Sequence, residues 1–207
     1  VRMKPFAMIW TDAKNPDQPP LTVVAESARI RFENQFLGED SKDESWISLT
    51  EKDPGRIVSA ALEGRVRVTG PNGLVVEGHT FTFNEENAEI YSDLPIHFRY
   101  GPPKEGQQVE VRGTSASGFM VALTPDPGGS LGKDMPGFSQ LPKFLRLSGR
   151  VVIDLITEEH QSPSKTRVTS EGPCQFDIAE KTISFRENVL VSRPQGNKGR
   201  DEIECYL

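Results

Sequence analysis

Cysteine, histidine and tryptophan are scarce in this chain of 207 residues, which holds two, three and two of them. The histidines, at 79, 97 and 160, have no ligand-like spacing to one another or to Cys174 or Cys205, so neither a metal centre nor any other cofactor is expected. Two cysteines are too few for a disulfide scaffold. Both fall in strand-like sequence, either as two buried thiols behaving as small apolar residues or as one disulfide. No stretch approaches the roughly 18–20 apolar residues of a membrane-spanning helix. Val1-Arg2-Met3-Lys4 also lacks the apolar run of a secretion signal. A chain that opens at Val1 and stops inside a strand reads as a piece of a longer polypeptide, whose signal or anchor would lie outside it.

A basic stripe is missing too. The 24 Lys and Arg are interspersed with 30 Asp and Glu for a net charge of −6, which argues against a nucleic-acid partner. No segment carries a helical period. What is present is short β-branched or aromatic runs of period two, broken by Gly, Pro, Asn and Asp. They fall at 6–10, 21–25, 28–32, 46–49, 56–62, 65–69, 74–77, 79–83, 88–91, 96–100, 108–112 and 119–123, with a second series from Phe144 onward. Asn72-Gly73 reads as a tight hairpin turn, since both residues tolerate positive φ. Asn84-Glu85-Glu86-Asn87 reads as another.

The second series repeats the first. Leu62-Glu63-Gly64-Arg65-Val66-Arg67-Val68 returns as Leu147-Ser148-Gly149-Arg150-Val151-Val152-Ile153. Phe83-Asn84 with Ile90 returns as Phe176-Asp177 with Ile183; Ile96-His97-Phe98 corresponds to Val189-Leu190-Val191, and Val109-Glu110-Val111 to Ile203-Glu204-Cys205. Such self-similarity predicts stacked hairpins in an elongated all-β architecture. Three parts are expected: a first unit over 1–124, a Pro- and Gly-rich linker or loop over 125–142, and a second unit over 143–207 continuous with the first.

Alternation assigns faces. Val66, Val68, Val76, Phe81, Phe83, Ile90, Ile96 and Phe98 of the first unit point one way, as do Val151, Ile153, Phe176, Ile183, Val189 and Val191 of the second, with polar neighbours opposite. One apolar face per sheet must be covered, so the sheets fold over each other as a sandwich, jelly roll or flattened barrel.

The residues of the repeat resemble the OstA-like units of the periplasmic lipopolysaccharide-transport family that includes LptA and LptC. The likeness covers Leu62 to Leu123, with its Gly113-Thr114-Ser115-Ala116-Ser117-Gly118-Phe119 segment, and Phe144 to Leu207. The long Pro- and Gly-rich insertion and the strand-rich sequence before Ala61 depart from that pattern. The resemblance implies a taco-like β-jelly roll in the cell envelope, active in outer-membrane biogenesis without catalysis. The inward residues named above would line a groove for the acyl chains of a lipopolysaccharide-like amphipath. Partners would be other jelly-roll transport proteins joined by edge-strand pairing, or further copies of the chain, head to tail. The periplasm would be the location, with a membrane anchor outside this sequence.

Two other readings stand beside it. A carbohydrate-binding or structural cell-envelope sandwich with a filled core would use Trp10, Trp46 and Tyr100 for sugar stacking. A hydrolase is remote: Ser115 and Ser117 match no Gly-x-Ser-x-Gly elbow, and Asp93, Asp154 and Asp177 do not single out a glycosidase pair.

Overall fold

The computed structural model describes residues 1–11, 17, 19–33, 57–101, 109–123, 142–159, 162–177, 180, 182–194 and 200–205. The strand expected at 46–49 and most of the 125–142 linker lie outside these residues. The described residues form an all-β, antiparallel jelly roll of sixteen strands in one continuous sheet. Their ranges are β1 (Arg2–Met3), β2 (Phe6–Trp10), β3 (Leu21–Phe32), β4 (Ile57–Gly70), β5 (Leu74–Asn84), β6 (Glu89–Ser92), β7 (Ile96–Tyr100) and β8 (Val109–Ser115). The series continues with β9 (Phe119–Leu123), β10 (Pro142–Leu147), β11 (Val151–Glu159), β12 (Ser162–Ser170), β13 (Cys174–Asp177), β14 (Thr182–Phe185), β15 (Val189–Pro194) and β16 (Arg200–Cys205).

The pairing pattern folds this sheet along one line. β5 pairs with β6 through Thr82–Asn84 and with β7 through Val75–Glu77, so two arms diverge from it. Arm A continues β6-β9-β10-β13-β14, and arm B continues β7-β8-β11-β12-β15-β16. β3, β4 and β5 cross from one arm to the other without interruption, and β1 and β2 pair with opposite ends of β3. The sequence reading broke each of these three long strands in two. The breaks lie at or beside bends: the ladder shifts register between Ala25 and Ser27 on β3 and between Leu62 and Arg65 on β4, while on β5 Thr80, two residues past the break read at Gly78, takes φ 52. Bulges and left-handed residues bend a strand without ending it.

The repeat is a repeat of position. Gly64 and Gly149 both sit on the fold line at positive φ, 75 and 67, each between an inward Leu and an inward Val. Phe83 lies opposite Ile90 in arm A, and Phe176 lies opposite Ile183 in the same arm. The expected Asn-Gly turn is present, with Asn72 at φ 54 and Gly73 at φ 66.

A run of buried serines marks the fold line. Where a strand turns the corner, carbonyls leave the ladder and need new donors. Ser92 Oγ donates to the His79 carbonyl at 2.9 Å. Ser115 Oγ lies 2.6 Å from the carbonyls of both Gly118 and Ser148, which share its single proton, and it accepts from Ser148 N–H. Ser170 Oγ does the same between Gly172 and Arg186, at 2.7 and 2.8 Å. Gly118, at φ 86, has its backbone against the Ser92 carbonyl, where a Cβ has no room.

The inner faces of both arms meet in one apolar cluster. Val66, Leu147, Val151 and Cys174 are fully buried in it, with Ile96, Phe119 and Ile153 beside them. Phe81 and Phe119 pack edge to face at 4.9 Å and tie β5 to β9.

Candidate functional site

Toward the N-terminal strands the two arms do not fill the space between them. An apolar cavity of about 170 Å³ remains there. Arm B supplies Phe6 and Met8 from β2, Leu21 and Val23 from β3, and Val68 from β4. The arm A side supplies Ile30, Ile57, Ala60, Leu62, Phe83 and Ile90, with Phe81 at the bend. Thr82 borders the space between Phe81 and Phe83, and the lining exposes no polar surface. A short apolar chain entering this space loses its hydration and meets no charge.

Of the fourteen residues expected to line a groove, Val68, Phe81, Phe83 and Ile90 line the cavity. Val66, Ile96, Val151 and Ile153 are buried in packed core. Val76, Phe98 and Phe176 are half-buried against that core, and Val189 and Val191 are half-buried on arm B. Ile183 departs from the enclosed position expected of it: register puts it on the inner face opposite Phe176, yet it is 54% exposed. β14 is the last strand of arm A among the described residues, so no described strand flanks Ile183 on its outer side. Among the cavity residues not anticipated as lining, Phe6, Met8, Leu21, Val23, Ile30 and Ile57 carry the same period-two signal. Their inclusion needed the β2–β3 and β3–β4 pairings.

The polar candidates have structural partners. Ser115 belongs to the fold line, and Ser117 is exposed beside it. Asp154 accepts from Arg167 at 2.7 and 2.9 Å and faces Lys165 at 2.9 Å. Those two cations, the Arg167 bonds foremost, hold its carboxyl down at about 2. Glu110 is lowered chiefly by its paired bonds from Arg112, with Arg99 adding to the effect. Asp177 accepts the Glu180 N–H, and Asp93 is exposed.

His79 and His97 are exposed on outer faces, and His160 lies outside the described residues. Among the described residues no group of three His, Cys, Asp or Glu side chains is placed to hold a metal ion, and no helix is long and apolar enough to cross a membrane. Cys174 is a free thiol whose burial pushes its pKa up to about 12, which keeps it protonated and unreactive. The side chain of Cys205 is outside the described set. Of the three stacking candidates only Tyr100 is described as a side chain: it is 47% exposed, and its hydroxyl accepts from Asn72 Nδ2 at 3.3 Å. Compared with known proteins, the chain matches no family model, no curated protein and no solved structure.

Proposed function

We propose that this protein is a non-enzymatic lipid-binding module of the cell envelope, working in the manner of the LptA and LptC transport proteins. One observation carries the reading: the apolar cavity between the two arms at the N-terminal end of the sheet. Its volume, about 170 Å³, is below the ~300 Å³ at which pockets begin to enclose a whole small molecule. It therefore fits a segment of an acyl chain, and the rest of that chain would lie along the half-buried inner face near Val76 and Phe98. Each methylene removed from water contributes about 0.8 kcal/mol, so a few suffice for useful affinity with no covalent step. The amphipath is lipopolysaccharide-like, with its headgroup left in solvent, and the compartment is the periplasm.

Partners would dock on the outer strands of the two arms. Ile183 on β14 and Ile203 on β16 are 54% and 62% exposed there, as apolar side chains on a docking edge would be.

The test is displacement of a fluorescent fatty acid. Wild-type protein is expected to bind it saturably. Ala60→Leu, which fills the cavity with apolar atoms, should weaken binding about tenfold, the worth of roughly two methylenes. Val68→Asp should abolish it, because a carboxylate would be desolvated whenever a chain enters. Wild-type protein that binds no fatty acid sinks the proposal in favour of a filled sandwich, and so does an Ala60→Leu variant that binds as wild type does.

A further inference from the structure

Charges scattered along the sequence come together on the outer face of arm A. Arg2 on β1 stands directly opposite Arg29 on β3, and Arg31 follows two residues along on the same face. Like charges at directly opposite positions of adjacent strands, about 5 Å apart, repel unless an anion lies between them. Glu63 supplies part of that compensation: its carboxylate meets Arg29 at 2.5 Å and Arg2 at 4.0 Å, and accepts from Ser27 Oγ at 3.0 Å. Arg31 is exposed, and its side chain has no ion pair or hydrogen bond among the described residues.

The three arginines border a groove of about 460 Å³ with no acidic residue in its lining. Ala61 lies opposite Arg29 and Ser59 opposite Arg31, so short side chains form the floor next to the long cationic ones. Thr82, opposite Ala61 on β5, adds a second hydroxyl beside that of Ser59. Three guanidiniums against the single carboxylate of Glu63 leave a local excess of positive charge on a chain whose net charge is −6.

The geometry points to a binding site for a phosphate-type oxyanion in this groove, held by Arg2, Arg29 and Arg31 with the hydroxyls of Ser59 and Thr82. Guanidinium forks present paired N–H donors that match tetrahedral oxyanions, and bonds between charged partners are about twice as strong as neutral ones. The groove lies on the opposite face of the strands that wall the apolar cavity, so the inference stands whether or not that cavity holds lipid.

Two arms of one experiment separate the sources of such an anion. In the first, inorganic phosphate replaces chloride at constant ionic strength while amide and guanidinium resonances of the intact ¹⁵N-labelled chain are followed. In the second, the protein is co-sedimented with phosphatidylcholine vesicles, with and without phosphatidic acid. Saturable shifts with inorganic phosphate are expected, and Arg31→Gln should weaken the affinity about tenfold, the worth of one charge-assisted hydrogen bond. Arg67→Gln, on the outer face of arm B, should leave it unchanged.

Sedimentation only with phosphatidic acid, lost in Arg31→Gln, would assign the site to a lipid headgroup in place of the free ion. Saturation by neither probe overturns the inference, as does equal binding by the Arg31→Gln and Arg67→Gln variants. Arg31 is exposed, so the melting temperatures of these variants should match and a folding defect would be visible at once.

Discussion

The two copies of the repeat share a register and differ in company. Phe83 and Phe176 occupy equivalent places in arm A, as do Ile90 and Ile183. In the first copy β5 is flanked by β4 on one side and β6 on the other, and β6 is flanked in turn by β9. In the second, β13 is flanked by β10 and β14, and β14 has no further neighbour among the described residues. Phe83 is accordingly 5% exposed while Phe176 is half-buried, and Ile90 is half-buried while Ile183 is 54% exposed. The same pattern of residues therefore makes a cavity wall in one place and a bare rim in the other. Burial is set by what the neighbouring strands bring. Among the described residues the lining comes from β2 to β6 and none of it from the second copy.

The largest test of this difference is Phe83→Ala against Phe176→Ala. Truncating a buried phenylalanine costs about 3–5 kcal/mol, and the half-buried Phe176 should lose less than half as much. Urea denaturation of both variants measures this, and equal losses would mean that the copies are energetically alike.

A smaller effect should follow pH. Asp154, in the second copy, has its carboxyl held at about 2, below its ordinary value of 3.8. A carboxylate that is more acidic in the folded chain stabilises it fully above the ordinary value, and that contribution fades as pH falls from about 4 toward 2. Melting temperature should therefore drop across that window, and Asp154→Asn should flatten the drop. An unchanged profile in Asp154→Asn would remove the Arg167 and Lys165 pairings from the account. The smallest effect is Ile183→Ala, expected within about 0.5 kcal/mol of wild type as for other surface changes, against at least twice that for Ile90→Ala. A large loss at Ile183 would show that something covers it in solution.

Much of this arrangement was legible in the order of residues. Alternation placed Val66, Phe81, Phe83, Ile96, Val151 and Ile153 inward, and all six are buried. The Leu-x-Gly-x-Val element marked the repeat, and both of its glycines, Gly64 and Gly149, take positive φ. The continuity of β3, β4 and β5 was hidden, because a bulge on β3 and the glycines Gly64 and Gly78 look like strand ends in a linear reading. The cavity was only half visible, since Phe6, Met8, Leu21 and Val23 meet Ile57, Phe83 and Ile90 through pairings of long sequence separation. The arginine groove was invisible for the same reason: Arg2 and Arg29 are 27 positions apart in the chain and neighbours in the sheet.

The serines of the fold line make it a stitched spine. Ser92, Ser115 and Ser170 each bind carbonyls freed by the bend, and Ser115 and Ser170 join one corner to the next through Ser148 and Arg186. With those bonds at least partly shielded from water, the angle between the arms is held stiffly at the spine, and any play must accumulate outward, toward the rims. A small flexing there translates into the largest change of gap farthest from the serines, like covers moving on a bound book. Amide exchange should accordingly be slowest at Ser148 and Gly172 and quicken toward the ends of β9 and β11.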